Sequence, residues 1–168
     1  MNPQFFFEKL HGSSEYESFI KNYPDAFLCS IFFILDFEAN GKGNQYHFDY
    51  YVPSQKKMFA FQLEQGIKLV PADIIESAEQ KEPSKLKFSF NLSFKEIEGL
   101  ILNEMAFQSI KNQLQKIIVV LQNADGKNIY FCTVFISNLG LIKAQIDDES
   151  KKIIAFEKKS FFDMMRKS

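Results

Sequence analysis

Residues 26–37 read AFLCSIFFILDF, the most apolar run in the chain. How this run is read decides the fold. A helix that crosses a bilayer needs about 20 apolar residues. This run is about half that long before Asp36 and Glu38 interrupt it. It is rich in Phe and Ile and closes on a Gly/Asn cluster, which marks a buried strand. Outward from it, the pattern predicts strands at about 26–38, 45–52 and 57–64. The turns between them are ANGKGN (39–44) and PSQK (53–56), where Gly and Asn supply the positive φ that hairpins need.

Fixing those turns fixes a register. A loop at 39–44 sets Glu38 opposite Gln45, Asp36 opposite His47 and Leu35 opposite Phe48. A loop at 53–56 sets Tyr50 opposite Phe59 and Phe48 opposite Phe61. Opposed residues share a sheet face. One face then gathers Ile31, Phe33, Leu35, Phe37, Tyr46, Phe48, Tyr50, Phe59, Phe61 and Leu63. Burying one such side chain contributes roughly 1.5–3 kcal/mol, so this face can drive folding. The other face divides into an apolar part (Leu28, Phe32, Ile34, Tyr51, Met58 and Ala60) and a polar part (Asp36, Glu38, Gln45, His47, Asp49 and Gln62). A sheet with a wet back usually shows water polar side chains. A back that is half apolar needs a cover: the second half of the chain, a second copy or a ligand.

The rest of the chain is read around this sheet. Residues 4–22 form one or two short helical segments ended by Pro24. Residues 65–84 form a connector with Pro71 and Pro83, carrying a helical turn at Ala72–Ser77. The segment KLKFSFNL (85–92) alternates, with Leu86, Phe88, Phe90 and Leu92 on one side, and reads as a strand. Ser93 and Glu96 make a capping box. The helix it opens carries an apolar stripe of Ile97, Leu100, Ile101, Met105, Ile110 and Leu114. Strands follow at about 116–122, 128–137, 140–147 and 152–157, with Asp125-Gly126 marking the first hairpin. The tail KKSFFDMMRKS suits a short amphipathic helix. The turn ANGKGN at 39–44 returns as ADGKN at 124–128. Duplication would produce that match, and so would the common chemistry of hairpin turns.

The expected fold class is therefore α+β: two α-β-β-β units with antiparallel sheets packed against helices. Residues 1–70 are the first unit and 71–84 a connector. Residues 85–168 are a strand, the second unit and the tail, in one compact body with the first. A chain of 168 residues is long enough to bury a sizeable core. Its 46% hydrophobic and 24% charged residues are ordinary for a soluble domain. A net charge of −1 provides no field for nucleic acid or an acidic membrane. Twenty Phe and no Trp, beside many Lys, Asn and Ile, fit A+T-rich codon usage or rings lining a ligand site. Cys29 and Cys132 sit inside apolar runs, as buried free thiols do. MNPQFFFEKLHGS lacks the basic region of a signal peptide, which predicts a cytoplasmic protein.

Candidate chemistry is sparse. Asp36 opposite His47, with Glu38 and Asp49 a step along, is a candidate metal or acid–base cluster. A charge-paired histidine at a solvated strand end has the same composition. His11 with Cys29 or Cys132 would make a nucleophile pair only if the fold joined them. Asp147-Asp148-Glu149 has too few ligands for a calcium loop. No phosphate-binding or dinucleotide motif occurs, so no cofactor is expected. No catalytic residue is assigned.

The element order and the segment LIKAQIDDESKKIIAFE (141–157) resemble the small PepSY-type and cystatin-like modules, over residues 93–157 and more loosely 4–70. That resemblance implies inhibition or regulation of peptidases outside the cell, whereas the N-terminus predicts the cytoplasm. The chain also looks like proteins of small-genome archaea. The resulting functional expectation is a non-enzymatic binding or interaction module whose partner is protein, including a second copy, and not nucleic acid. Its candidate surface is Leu28, Phe32, Ile34, Tyr51, Met58 and Ala60. The alternatives are a metal-dependent or acid–base hydrolase using Asp36, His47 and Asp49, and a protein tethered to a membrane or partner by its tail.

Overall fold

Side-chain caps start all three helices. In the computed structural model, which describes residues 2–72 and 82–160, Asn2 accepts from Phe5 N and opens α1 (Pro3–His11). Pro3 fits the first turn, where an N–H has no partner to lose. Ser13 accepts from Tyr16 N and opens α2 (Ser14–Asn22). Four strands follow: β1 (Phe27–Asp36), β2 (Gln45–Val52), β3 (Lys57–Gln62) and β4 (Lys68–Ala72). The expected capping box opens α3 (Phe94–Phe107), with Glu96 N donating to Ser93 Oγ at 3.1 Å and Ser93 N donating to Glu96 Oε2 at 2.7 Å. The chain then runs through β5 (Leu114–Ala124), β6 (Lys127–Ile136), β7 (Gly140–Asp147) and β8 (Lys152–Ser160).

The eight strands form one antiparallel sheet in the order β4-β3-β2-β1-β5-β6-β7-β8. The class is α+β, as expected, but the sheet dominates and is continuous rather than divided. Each half of the chain lays down a four-strand meander, and the two meet where β1 pairs with β5.

The main hydrophobic cluster lies on one side of this sheet. Ile31, Phe33 and Leu35 of β1 share it with Phe48, Phe61, Ile117, Val119, Leu121, Tyr130 and Val134. Phe6 and Leu10 of α1, Phe19 of α2 and Ile97, Ile101 and Met105 of α3 cover it, together with Leu86, Phe90 and Leu92. All ten residues expected on the core face are in this cluster or packed against it.

Several expectations need correction. The helix expected to carry Ile110 and Leu114 stops at Phe107, and Leu114 begins β5. The first hairpin closes four residues earlier than predicted, so Phe32, not Asp36, faces His47, and Ile31 faces Phe48. The cause is Asp36, whose Oδ1 accepts from Glu38 N and Ala39 N while its own N donates to Asn44 Oδ1. Asp36 thus ends β1, and Leu35 and Asp36 pair only with β5. A shift of four is even, so the faces survive it. The second hairpin has the predicted register, with Tyr50 opposite Phe59 and Phe48 opposite Phe61.

Next, a bulge between Leu28 and Ser30 turns Leu28 to the core, opposite Tyr50, and off the back face. The connector contains β4, despite Pro71. As the outermost strand, β4 tolerates a residue without an N–H. Finally, residues 85–92 are extended but are not a sheet strand. Leu86 N donates to Leu28 O, and the other polar links go to side chains of Asn128 and Asp148. Alternation correctly indicated one buried side; the segment lies over the sheet instead of within it. Phe88 breaks the pattern and is 49% exposed. Residues 73–77 of the expected helical turn and 161–168 of the expected tail helix lie outside the described residues. No helix among the described residues is long and apolar enough to cross a membrane.

Candidate functional site

The back of the sheet is built by the residues that alternate with the core positions. In one row Phe32 of β1 lies opposite Val120 of β5, which lies opposite Phe131 of β6. In the next, Ile34 faces Ile118 and Ile118 faces Thr133. Further toward one end come Asp36, Lys116, Phe135 and Leu141. Phe32, Ile34, Ile118, Val120, Phe131 and Phe135 are half-buried, and none joins the core cluster. Each of the three described helices sends its buried side chains to the other face.

Of the residues expected here, Phe32, Ile34 and Met58 are half-buried, while Tyr51 and Ala60 are closed off among their neighbours. Tyr51 meets the Phe27 ring edge-on at 5.7 Å. Sequence reasoning missed the β5 and β6 contributions. The signal was the run IIVVL at 117–121, which is apolar at successive positions and so supplies both faces. Beside Phe135 and Leu141 lies a cavity of about 420 Å³, bordered by Gln115 and Leu139. Leu139 is 66% exposed at φ +57. That left-handed backbone favours Gly or Asn and is costly for a bulky apolar residue.

The polar end of the back has a different arrangement from the predicted cluster. His47 Nε2 pairs with Glu64 Oε1 at 2.7 Å. The same oxygen accepts from Tyr46 N at 3.0 Å, which fixes the carboxylate. Gln45, Gln62, Lys42 and Lys68 complete a polar pocket of about 350 Å³ around this pair. Asp49 turns to Ser30, whose hydroxyl donates to Oδ2 at 3.0 Å. Burial raises the Asp49 carboxyl above the usual carboxylate range, and the Ser30 bond and the His47 charge offset this in part. Glu38 lies in the β1–β2 loop beyond Asp36. Among the described residues no three His, Cys, Asp or Glu side chains converge as a metal-ligand set.

The other candidates also separate. His11 Nε2 lies 2.6 Å from Tyr50 Oη, with the imidazole stacked on Tyr16 at 4.0 Å. Burial lowers the His11 pKa below the ordinary histidine value. Cys29 Sγ bonds the Asp49 carbonyl and Cys132 Sγ that of Tyr130. Burial pushes each thiol up to about 12, with the Asp49 charge adding to the effect at Cys29. A thiol held protonated is a poor nucleophile. Asp148, from the acidic turn, is a structural anchor: it accepts from Tyr130 Oη at 2.6 Å, Asn91 N at 2.9 Å and Asn91 Nδ2 at 2.8 Å. Asp147 Oδ2 accepts from Ser150 N and closes the turn.

Fold and site together define an α+β protein with one broad antiparallel sheet, helices on one side and a half-apolar back. No protein-family model and no curated protein matches the chain. Among solved structures it is similar to a Clostridium difficile 630 protein described as a "putative lipoprotein". The TM-score is 0.53 at 11% identity, covering 86% of this chain and 90% of that one. Identity that low makes the likeness one of fold.

Proposed function

We propose that the protein is a non-enzymatic binding module that engages a protein partner through the back of its sheet. The observation that carries this reading is the row of half-buried apolar side chains Phe32, Ile34, Ile118, Val120 and Phe131, with no helix above them among the described residues. Contiguous apolar surface of this kind on a soluble domain marks a contact site. The hydrolase alternative has less support. Asp36 lies four residues beyond Phe32, the residue opposite His47, a separation of roughly 13 Å along an extended strand.

Two further expectations stand as part of this reading. The halves derive from one repeated unit: the first hairpin of each carries a left-handed pair, Asn40-Gly41 and Asp125-Gly126. The protein works in the cytoplasm, where the buried free thiols of Cys29 and Cys132 stay reduced.

A fluorescent apolar dye tests the binding surface. Wild-type protein diluted to nanomolar concentration should enhance its emission, and Phe32→Lys should lose most of that signal while melting at the same temperature. Equal dye binding by the two proteins would refute the reading.

A further inference from the structure

We propose that the partner is a second copy of this chain, bound sheet to sheet about a two-fold axis that runs along the strands between β1 and β5. The proposal rests on the reading of the back face as a contact surface, and names its occupant.

Three observations lead to it. The first is position. In an isologous contact the same patch of both copies meets itself across the axis, so a patch centred on the axis is buried from both sides. The sheet order leaves four strands on each side of the β1/β5 boundary, and Phe32, Ile34, Ile118 and Val120 occupy the two strands at that boundary.

The second is self-complementarity, which follows from register. Such an axis lays β1 over the partner's β5, β2 over its β6 and β3 over its β7, with each residue kept at its own height. Ile34 then meets the partner's Ile118, and Phe32 the partner's Val120. Gln45 meets the partner's Thr133, and Gln62 the partner's Gln145. His47 meets the partner's Phe131, and Asp36 approaches the partner's Lys116. Ile34 and Phe32 thus lie on apolar partners, each amide on a polar one and acid near base, each twice over, while the ion-paired His47 lies against a ring. Asp49 meets the partner's Ile129, which is 5% exposed and adds little surface, and the Ser30 hydroxyl already satisfies one Asp49 oxygen. Packed sheets cross at about −30°, so the central rows carry most of the match.

The third is area. Eight strands at about 4.8 Å spacing and roughly 20 Å long give a face on the order of 700 Å². A stable interface takes roughly 800 Å² per partner, so the face is nearly the right size. The sheet edges offer a poorer route. Pro71 sits on the β4 edge, and β8 has a bulge at Ile154 with Lys152, Lys158 and Lys159 along it. Such features block edge-to-edge pairing.

Sedimentation equilibrium of the full chain, from low micromolar to several hundred micromolar, tests the proposal. The expected result is a monomer–dimer equilibrium that Phe32→Lys and Ile118→Lys each weaken by roughly a hundredfold or more, because each dimer would bury two unpaired ammonium groups. Both positions are off the core, and a thermal melt that matches the wild type at a concentration where both are monomeric verifies the fold of each variant. A wild-type chain that stays monomeric throughout overturns the proposal, as does a dimer that both lysine variants leave intact. The dye separates the two levels: a monomer whose dye signal depends on Phe32 removes only the self-association, and a monomer without that signal removes the surface as well.

Discussion

Replacing Asp148 with alanine deletes the acceptor of three hydrogen bonds, one from Tyr130 of β6 and two from Asn91 that fasten residues 86–92 over the sheet. Asp148 is 3% exposed, and its most buried donor, Tyr130, is 0% exposed. Burial, then the Asp148 bond, pushes the Tyr130 phenol well above its ordinary pKa, so it stays a donor. Stranding a buried hydroxyl costs about 1–3 kcal/mol, and hydrogen bonds to a charged group are worth about 1.5–3 kcal/mol each. Water can reach Asn91, which is exposed, and recover part of its share. The net expectation for Asp148→Ala is a loss of about 3 kcal/mol, or about 6–12 °C in Tm for a chain of this size. Tyr130→Phe should cost about 1 kcal/mol, because the carboxylate keeps both Asn91 bonds. Urea titrations of the single and double variants measure these values. The double variant should lose less than the sum of the singles, since both remove the same hydroxyl–carboxylate bond. A loss below about 1 kcal/mol for Asp148→Ala would refute the anchoring argument.

Three more measurements bear on the helical side. His11 has a lowered pKa, so the folded protein binds a proton less readily than the unfolded chain. Its contribution is full above about pH 6.5 and declines as pH falls through that value; the urea midpoint of wild type should drop relative to His11→Gln between pH 7.5 and 5.5, and parallel curves would contradict it. Cys29 and Cys132, each pushed up to about 12, should resist Ellman's reagent at pH 8 until the protein unfolds; labelling of the native protein within minutes would count against the buried placement. Ser93→Ala removes one side of the capping box and should cost about 1 kcal/mol in chemical denaturation, with an unchanged midpoint as the contrary result.

What the sequence revealed depended on how tightly each local signal constrains the chain. The four-residue PSQK turn left one closure, and Tyr50 did fall opposite Phe59. The Gly/Asn-rich loop before Gln45 allowed several closures, and the Asp36 side chain selected a longer one that alternation cannot reveal. The Leu28 bulge and the β4 edge strand depend on neighbours distant in sequence. Alternation over Lys85–Leu92 reports a buried side but not whether a strand lies alongside. At the polar end, His47 was recognised, but Glu64 was not, because it arrives on the chain leaving β3. The apolar surface was half seen: Phe32 and Ile34 followed from the first hairpin, whereas Ile118 and Val120 needed the β1/β5 pairing between the halves.

The described helices cover one face of the sheet and leave the Ile34, Ile118 and Val120 row of the other uncovered. Methyl NMR of Phe32→Lys, the variant designed to stay monomeric, tests this with a soluble paramagnetic gadolinium chelate. Ile34, Ile118 and Val120 methyls should relax strongly, while their chain neighbours Ile31, Ile117 and Val119 stay protected. Equal protection of both sets would contradict the account.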